Sequence, residues 1–212
     1  MNGLQTITVD IIGTRPLMLN STDGYAPSGE IGERIRYLLD LNKRTEADNK
    51  ELDKLKFILA LYHDEKVGPY LPAFNLWAAG RDAAAIHRKK TAWIRGVQIV
   101  GPDQLPLQYD GPRSIDGLYT DPRFVDRRPA KPPRQGMIVA VRPIFPQWSM
   151  RATFAVDDGA ISITDAKRAI ELAGSMVGVG TFRQRFGRFD TVFVEEKSNG
   201  KNAANGKLAK AA

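Results

Sequence analysis

A chain of 212 residues with 42% hydrophobic side chains can bury a proper core, which argues for one globular domain with insertions rather than disorder, two small domains being the alternative. Its 31 Lys and Arg against 24 Asp and Glu leave a net charge of +7, a balance that favours nucleic acid or another anionic partner. The absence of cysteine excludes disulfides, thiolate zinc sites and cysteine nucleophiles together.

Residues Leu4 to Ile12 carry the alternating, β-branched run TITVDII and predict a first strand that stops at Gly13, with Arg15 and Pro16 opening a loop. The polar, turn-rich stretch from Leu19 to Glu30 is followed by a short helical pattern over Ile31 to Leu41. From Thr45, the spacing of Leu52, Leu55, Phe57, Ile58, Leu59 and Tyr62 predicts a second helix, closed by Gly68-Pro69 and Pro72. Phe74 to His87 reads as a third helix, with Asn75 a candidate N-cap and Ala83 to Ala85 suited to close packing on a sheet. Trp93, Arg95, Val97 and Ile99 alternate against Ile94 and Val100, which predicts a second strand over Thr91 to Val100.

Seven of the thirteen prolines fall between Gly101 and Gly136, so this segment reads as an insertion or extended loop. Gln135 to Ile144 and Trp148 to Val156, flanking Phe145-Pro146-Gln147, predict a hairpin, and Asp157-Asp158-Gly159 a turn. Thr164 is a candidate cap for a helix from Asp165 to about Ser175, followed by a glycine-rich turn and a last strand, Phe189 to Val194. With the excursions set aside, the order predicts an α+β fold: a ferredoxin-like, RNA-recognition-like antiparallel sheet with helices on one face and long inserted loops. The expected organisation is a single domain over residues 1–196, interrupted by the Pro-rich insertion 101–136, and a flexible basic tail over 197–212. Lys197, Lys201, Lys207 and Lys210 fall in that tail among Gly, Asn and Ala, with no acids. Without an apolar run near the roughly 20 residues a bilayer demands, or a leader pattern at the start, no membrane partner and a cytoplasmic location are expected.

Three basic groups stand apart in sequence. Arg81, His87, Arg88, Lys89, Lys90 and Arg95 form the first, Arg123, Arg127, Arg128, Lys131 and Arg134 the second, and Arg183, Arg185 and Arg188 the third. Phosphate binding needs distributed cations and base contact needs planar surfaces; Trp93, Tyr119, Phe124, Phe182 and Phe186 interleave with these groups. Such clusters also suit plain solvated faces. Gly178, Gly180 and Gly187 lack the Gly-Lys-Ser/Thr of a Walker loop and follow a helix, so no nucleotide cofactor is expected. Their roles are turning the chain into the last strand, or letting backbone approach a phosphate that the arginines clamp. His63 and His87, the two histidines, have no ligand spacing for a metal, and no hydrolytic triad is legible, so neither a metal nor a catalytic residue is assigned.

The ending GVGTFRQRFGRFDTVFVEE, with VDIIGTRPLMLN and YLPAFNLWAAGRDAAA, resembles the RAMP superfamily, especially Cas7-like backbone subunits of CRISPR effector complexes and their phage-borne relatives. The resemblance covers residues 4 to 195 in patches. It implies single-stranded RNA or DNA as partner, copies of the chain along a filament, and further effector-complex subunits. It places Gly178, Gly180, Arg183, Arg185, Gly187 and Arg188 at the groove, Arg15 as a second contact, and the 101–136 insertion as a loop reaching to a neighbour. The expected function is a non-enzymatic, oligomerising coat or effector-backbone subunit that binds nucleic acid through phosphates. The alternatives are a RAMP-like endoribonuclease using His87, and an assembly protein whose arginines pair with acids on neighbouring subunits.

Overall fold

The computed structural model describes residues 3–21, 29–130 and 138–194. In chain order these form β1 (Leu4–Gly13), β2 (Leu17–Met18), α1 (Gly29–Asp40), α2 (Glu46–Ala60), β3 (His63–Asp64), β4 (Gly68–Pro72), α3 (Ala73–Ile86), α4 (Lys90–Gly96) and β5 (Val97–Val100). There follow β6 (Gln104–Pro106), α5 (Ile115–Thr120), β7 (Val125–Ala130), β8 (Ile138–Phe145), β9 (Ser149–Asp157), α6 (Ile163–Leu172) and β10 (Phe189–Val194).

The central sheet has the order β10-β1-β9-β5, with every neighbouring pair antiparallel. Two β-to-β crossovers, through α3 and through α6, generate that order, and the two helices pack side by side on one face. This is the ferredoxin-like α+β arrangement the element order predicts. Alternation does the sorting: Ile7, Val9 and Ile11 of β1 and Met150, Ala152, Phe154 and Val156 of β9 are buried beneath the helices. On the opposite face, Thr8 meets Thr153 at 3.0 Å between hydroxyls, and Arg151 makes a bidentate pair with Asp10 at 2.6 and 2.7 Å.

Five sequence expectations are corrected. Thr91 to Val100 is not one strand: Lys90–Gly96 is helical and only Val97–Val100 pairs with β9. Positions 93 and 97 satisfy a helical period as well as an alternating one, and packing decided between them. Trp93 is fully buried against Gly80, where an added Cβ would lie 2.3 Å from its ring, and meets Phe154 edge-on. The expected hairpin is not one either, because β8 pairs with β2 and β7 while β9 belongs to the central sheet. Between them Trp148 is buried, and its indole N–H donates to the Arg15 carbonyl at 2.9 Å, which carries the chain from one sheet to the other.

Residues 101–130 of the insertion are built into the body instead of forming a loop. Leu105, Leu107, Leu118, Phe124 and Val125 join the main core, and β7 pairs along β8. Pro129 is tolerated because β7 is an edge strand, where a missing N–H breaks no ladder. Residues 131–136 lie outside the described residues, as does the basic tail 197–212. The reaching role that the resemblance implies therefore finds no free loop over 101–130.

Caps also fell elsewhere than expected. Proline at position 72 precedes α3 with no side-chain cap, so Asn75 sits inside the helix. α2 begins at the Thr45 capping box with Asp48 and ends at Ala60. α6 is capped by Ser162, whose hydroxyl accepts from the Asp165 N–H at 3.1 Å, not by Thr164. Ser162→Ala is expected to lower stability by about 1 kcal/mol and Thr164→Ala to leave it unchanged, a contrast that urea denaturation midpoints measure directly.

Candidate functional site

Beyond α6 the helix widens into one π-type turn, Ala173–Val177, and the chain then folds on itself through residues 178–188 before entering β10. Two backbone positions make this loop possible. Gly187 has φ +67°, and an added Cβ there would lie 1.9 Å from the Val179 carbonyl oxygen; at Gly180, φ is +76° and the Cβ would lie 2.4 Å from the Met18 carbonyl oxygen.

Hydrogen bonds then clamp this loop to the corner that follows β1. Gly187 N–H donates to the Pro16 carbonyl (2.8 Å), Thr181 N–H to that of Met18 (2.9 Å), and the N–H groups of Thr14 and Arg15 to that of Arg188 (2.8 and 3.2 Å). Arg15 is thus brought beside Arg185 and Arg188 although some 170 positions separate them. The three line a cleft of about 590 Å³ together with Thr14, Ser175 and Gln184, and with one carboxylate, Asp190. Arg188 is steadied by an Nη1–H bond to the Ser175 carbonyl at 3.1 Å. Among the described residues no carboxylate forms an ion pair with Arg15, Arg185 or Arg188. Three planar guanidinium forks converging on one open cleft are suited to phosphate or carboxylate oxygens.

The other candidates lie elsewhere and most are already partnered. Arg183 points from the loop to Asp82 at 3.4 Å, and Arg81 grips the same carboxylate through Nε and Nη2 (2.9 and 2.7 Å). Lys89 pairs with Asp165 at 3.4 Å. Arg127 pairs with Asp53 at 3.6 Å and lies over the Tyr119 ring. Arg128 forms a two-pronged pair with Asp126, whose hydrogen bond raises the guanidinium above its ordinary value. Arg88 and Lys90 are exposed at the α3–α4 turn, Arg88 with φ +60° where α3 ends, and Arg95 is exposed in the last turn of α4. Lys131 lies outside the described residues.

Two of the three glycines use their amides within the protein. The N–H of Gly178 goes to the Ala173 carbonyl at 2.6 Å and that of Gly187 to Pro16, so neither amide is left for a ligand. Of the five interleaved aromatic residues, Trp93, Phe124 and Phe186 are buried and Tyr119 is half-buried against Phe57; Phe182 alone is exposed. Two features went unread in the sequence. Phe74, 65% exposed, stacks on Trp77 with Arg81 over the indole, a ladder that its i, i+3, i+7 spacing on α3 signals. Arg142 lies over Phe182 across 40 positions of chain, a contact no local spacing announces.

His63 Nε2 sits 2.9 Å from the Arg113 carbonyl oxygen, and His87 is exposed at the end of α3. Among the described residues no group of three or more His, Asp or Glu side chains is placed to hold a metal, and no helix is long and apolar enough to cross a membrane. The described part of the open sheet face presents no aromatic ring, since its central positions are Thr8, Asp10, Arg151 and Thr153.

No protein family matches the chain, and no curated protein does. Among solved structures, the chain is similar to Cmr6 from Pyrococcus furiosus, at 12% identity over 91% of this chain and 100% of that one, with a TM-score of 0.39.

Proposed function

We propose that the chain binds single-stranded nucleic acid through its phosphates at the Arg15–Arg185–Arg188 cleft, without cutting it, as an oligomerising coat or effector-backbone subunit. The observation that carries this reading is the convergence of three arginines, none ion-paired to a described carboxylate, from two separate loops onto one cleft. Elsewhere the fold pairs Arg127 and Arg128 with acids, and here it does not. Arg88, Lys90 and Arg95 are further exposed cations for the same polymer. The net charge of +7 favours such a partner at long range.

Fluorescence anisotropy of short labelled single-stranded RNA and DNA, at two salt concentrations and with a gel of the recovered strands, tests this. Three phosphate contacts give a slope of log affinity against log salt near about −2, from about −0.7 per phosphate for single strands. Salt-sensitive binding of intact strands is the expected result. Absence of binding to either polymer overturns it in favour of an assembly protein, and strand cutting that His87→Ala abolishes overturns it in favour of an endoribonuclease.

A further inference from the structure

Phe182 combines an uncommon backbone conformation with an exposed aromatic ring. Its φ is +51°, a left-handed backbone that a bulky residue rarely adopts. The surrounding bonds impose it: Thr181 N–H is tied to Met18, and the N–H groups of Arg185 and Phe186 both donate to the Phe182 carbonyl, at 2.9 and 3.1 Å. This strained turn does not bury the ring. Phe182 is 47% exposed and joins neither apolar core. The Arg142 guanidinium lies 5.0 Å from the ring centroid, a stacking contact that holds the ring in place from the β8 side. Three residues on, Arg185 lines the arginine cleft.

An exposed aromatic ring, fixed by strain and by a guanidinium, one turn from a phosphate-type cleft, has the chemistry of a stacking surface. We propose that Phe182 is a platform for an unpaired nucleobase whose phosphate lies in the adjoining cleft, which makes the site selective for single strands carrying bases over bare polyanions. This rests on the phosphate-binding reading above. A base inside a duplex is already stacked on both faces and is not available to such a ring.

The test compares labelled oligouridylate and oligothymidylate, each against an abasic strand with the same number of phosphates, on the wild-type chain and on Phe182→Ala and Phe182→Trp. Wild type is expected to bind at least one base-bearing strand about 10-fold more tightly than its abasic counterpart. Phe182→Ala is expected to lose that preference while keeping its abasic affinity within about twofold and its thermal midpoint; Phe182→Trp is expected to keep the preference. Equal wild-type affinity for base-bearing and abasic strands overturns the platform and leaves the phosphate reading standing. A preference that survives Phe182→Ala, or a Phe182→Ala chain that also loses abasic affinity, likewise overturns it. Binding of none of the four strands overturns both.

Discussion

Replacing Arg15 and Arg185 together by glutamate is expected to weaken binding of a single-stranded oligonucleotide by about 100-fold or more, each charge-assisted contact to a phosphate contributing about 1.5–3 kcal/mol. Two lost phosphate contacts also flatten the salt dependence of log affinity by roughly 1.4. Both side chains are exposed and neither pairs with a described carboxylate, so the variant is expected to keep its circular dichroism and its thermal midpoint. Arg127→Ala is the control, because that guanidinium is already engaged by Asp53 and Tyr119 and its loss should change affinity by less than about twofold. Anisotropy titrations at matched salt read all three chains, and unchanged affinity in a folded double variant removes the cleft from its assigned role. Arg183, which stands beside Arg185 in sequence, is expected to contribute less, since Asp82 already holds it.

Gly187→Ala is expected to lower stability by about 3–4 kcal/mol, the range of a backbone position that tolerates no side chain. Two causes add. The φ of +67° is strained for alanine, and the new Cβ would lie 1.9 Å from the Val179 carbonyl oxygen, a backbone atom that cannot swing aside. Moving it would pull on the Gly187 N–H bond to Pro16 and on the Val179 N–H bond to the Gly187 carbonyl, the links that hold the loop against the corner after β1. Equilibrium urea unfolding measures the loss, with Gly3→Ala as comparison, since nothing lies within 4 Å of a Cβ there. Wild-type stability in Gly187→Ala would show that the loop has another accessible path, and would return this glycine to the ligand-facing role its sequence context also allows.

These two experiments separate residues that local sequence presents as one group. Gly178, Gly180, Arg183, Arg185, Gly187 and Arg188 lie within eleven positions, and one glycine-arginine stretch suggests one shared task. In the folded chain the tasks divide: Gly178 and Gly187 use their amides inside the protein, Arg183 turns to α3, and Arg185 and Arg188 meet Arg15. The same division runs through the basic residues of the insertion. Arg127 looks available in sequence because its partner Asp53 stands far off on α2, whereas Asp126, two positions before Arg128, faces it only because the segment is a strand.

What the sequence by itself determined was the sheet and its helices. The alternation of Ile7, Val9 and Ile11, the strand after the glycine loop and the helical runs of α2, α3 and α6 are short-range periodic patterns, and burial of one face follows from such patterns directly. Net charge and the absence of cysteine likewise follow from composition. Only the tertiary structure decided the rest. Whether Thr91 to Gly96 was strand or helix turned on the slot that Gly80 leaves for Trp93, 13 positions away. Whether β8 and β9 formed a hairpin turned on Trp148 reaching Arg15, and whether the insertion was a loop turned on Leu118 and Phe124 entering the shared core. The cleft belongs to this second kind. Each arginine is visible in sequence, but which of them lacks a carboxylate partner depends on contacts between segments far apart in the chain, and those contacts come from packing and backbone hydrogen bonding, to which local periodicity is blind.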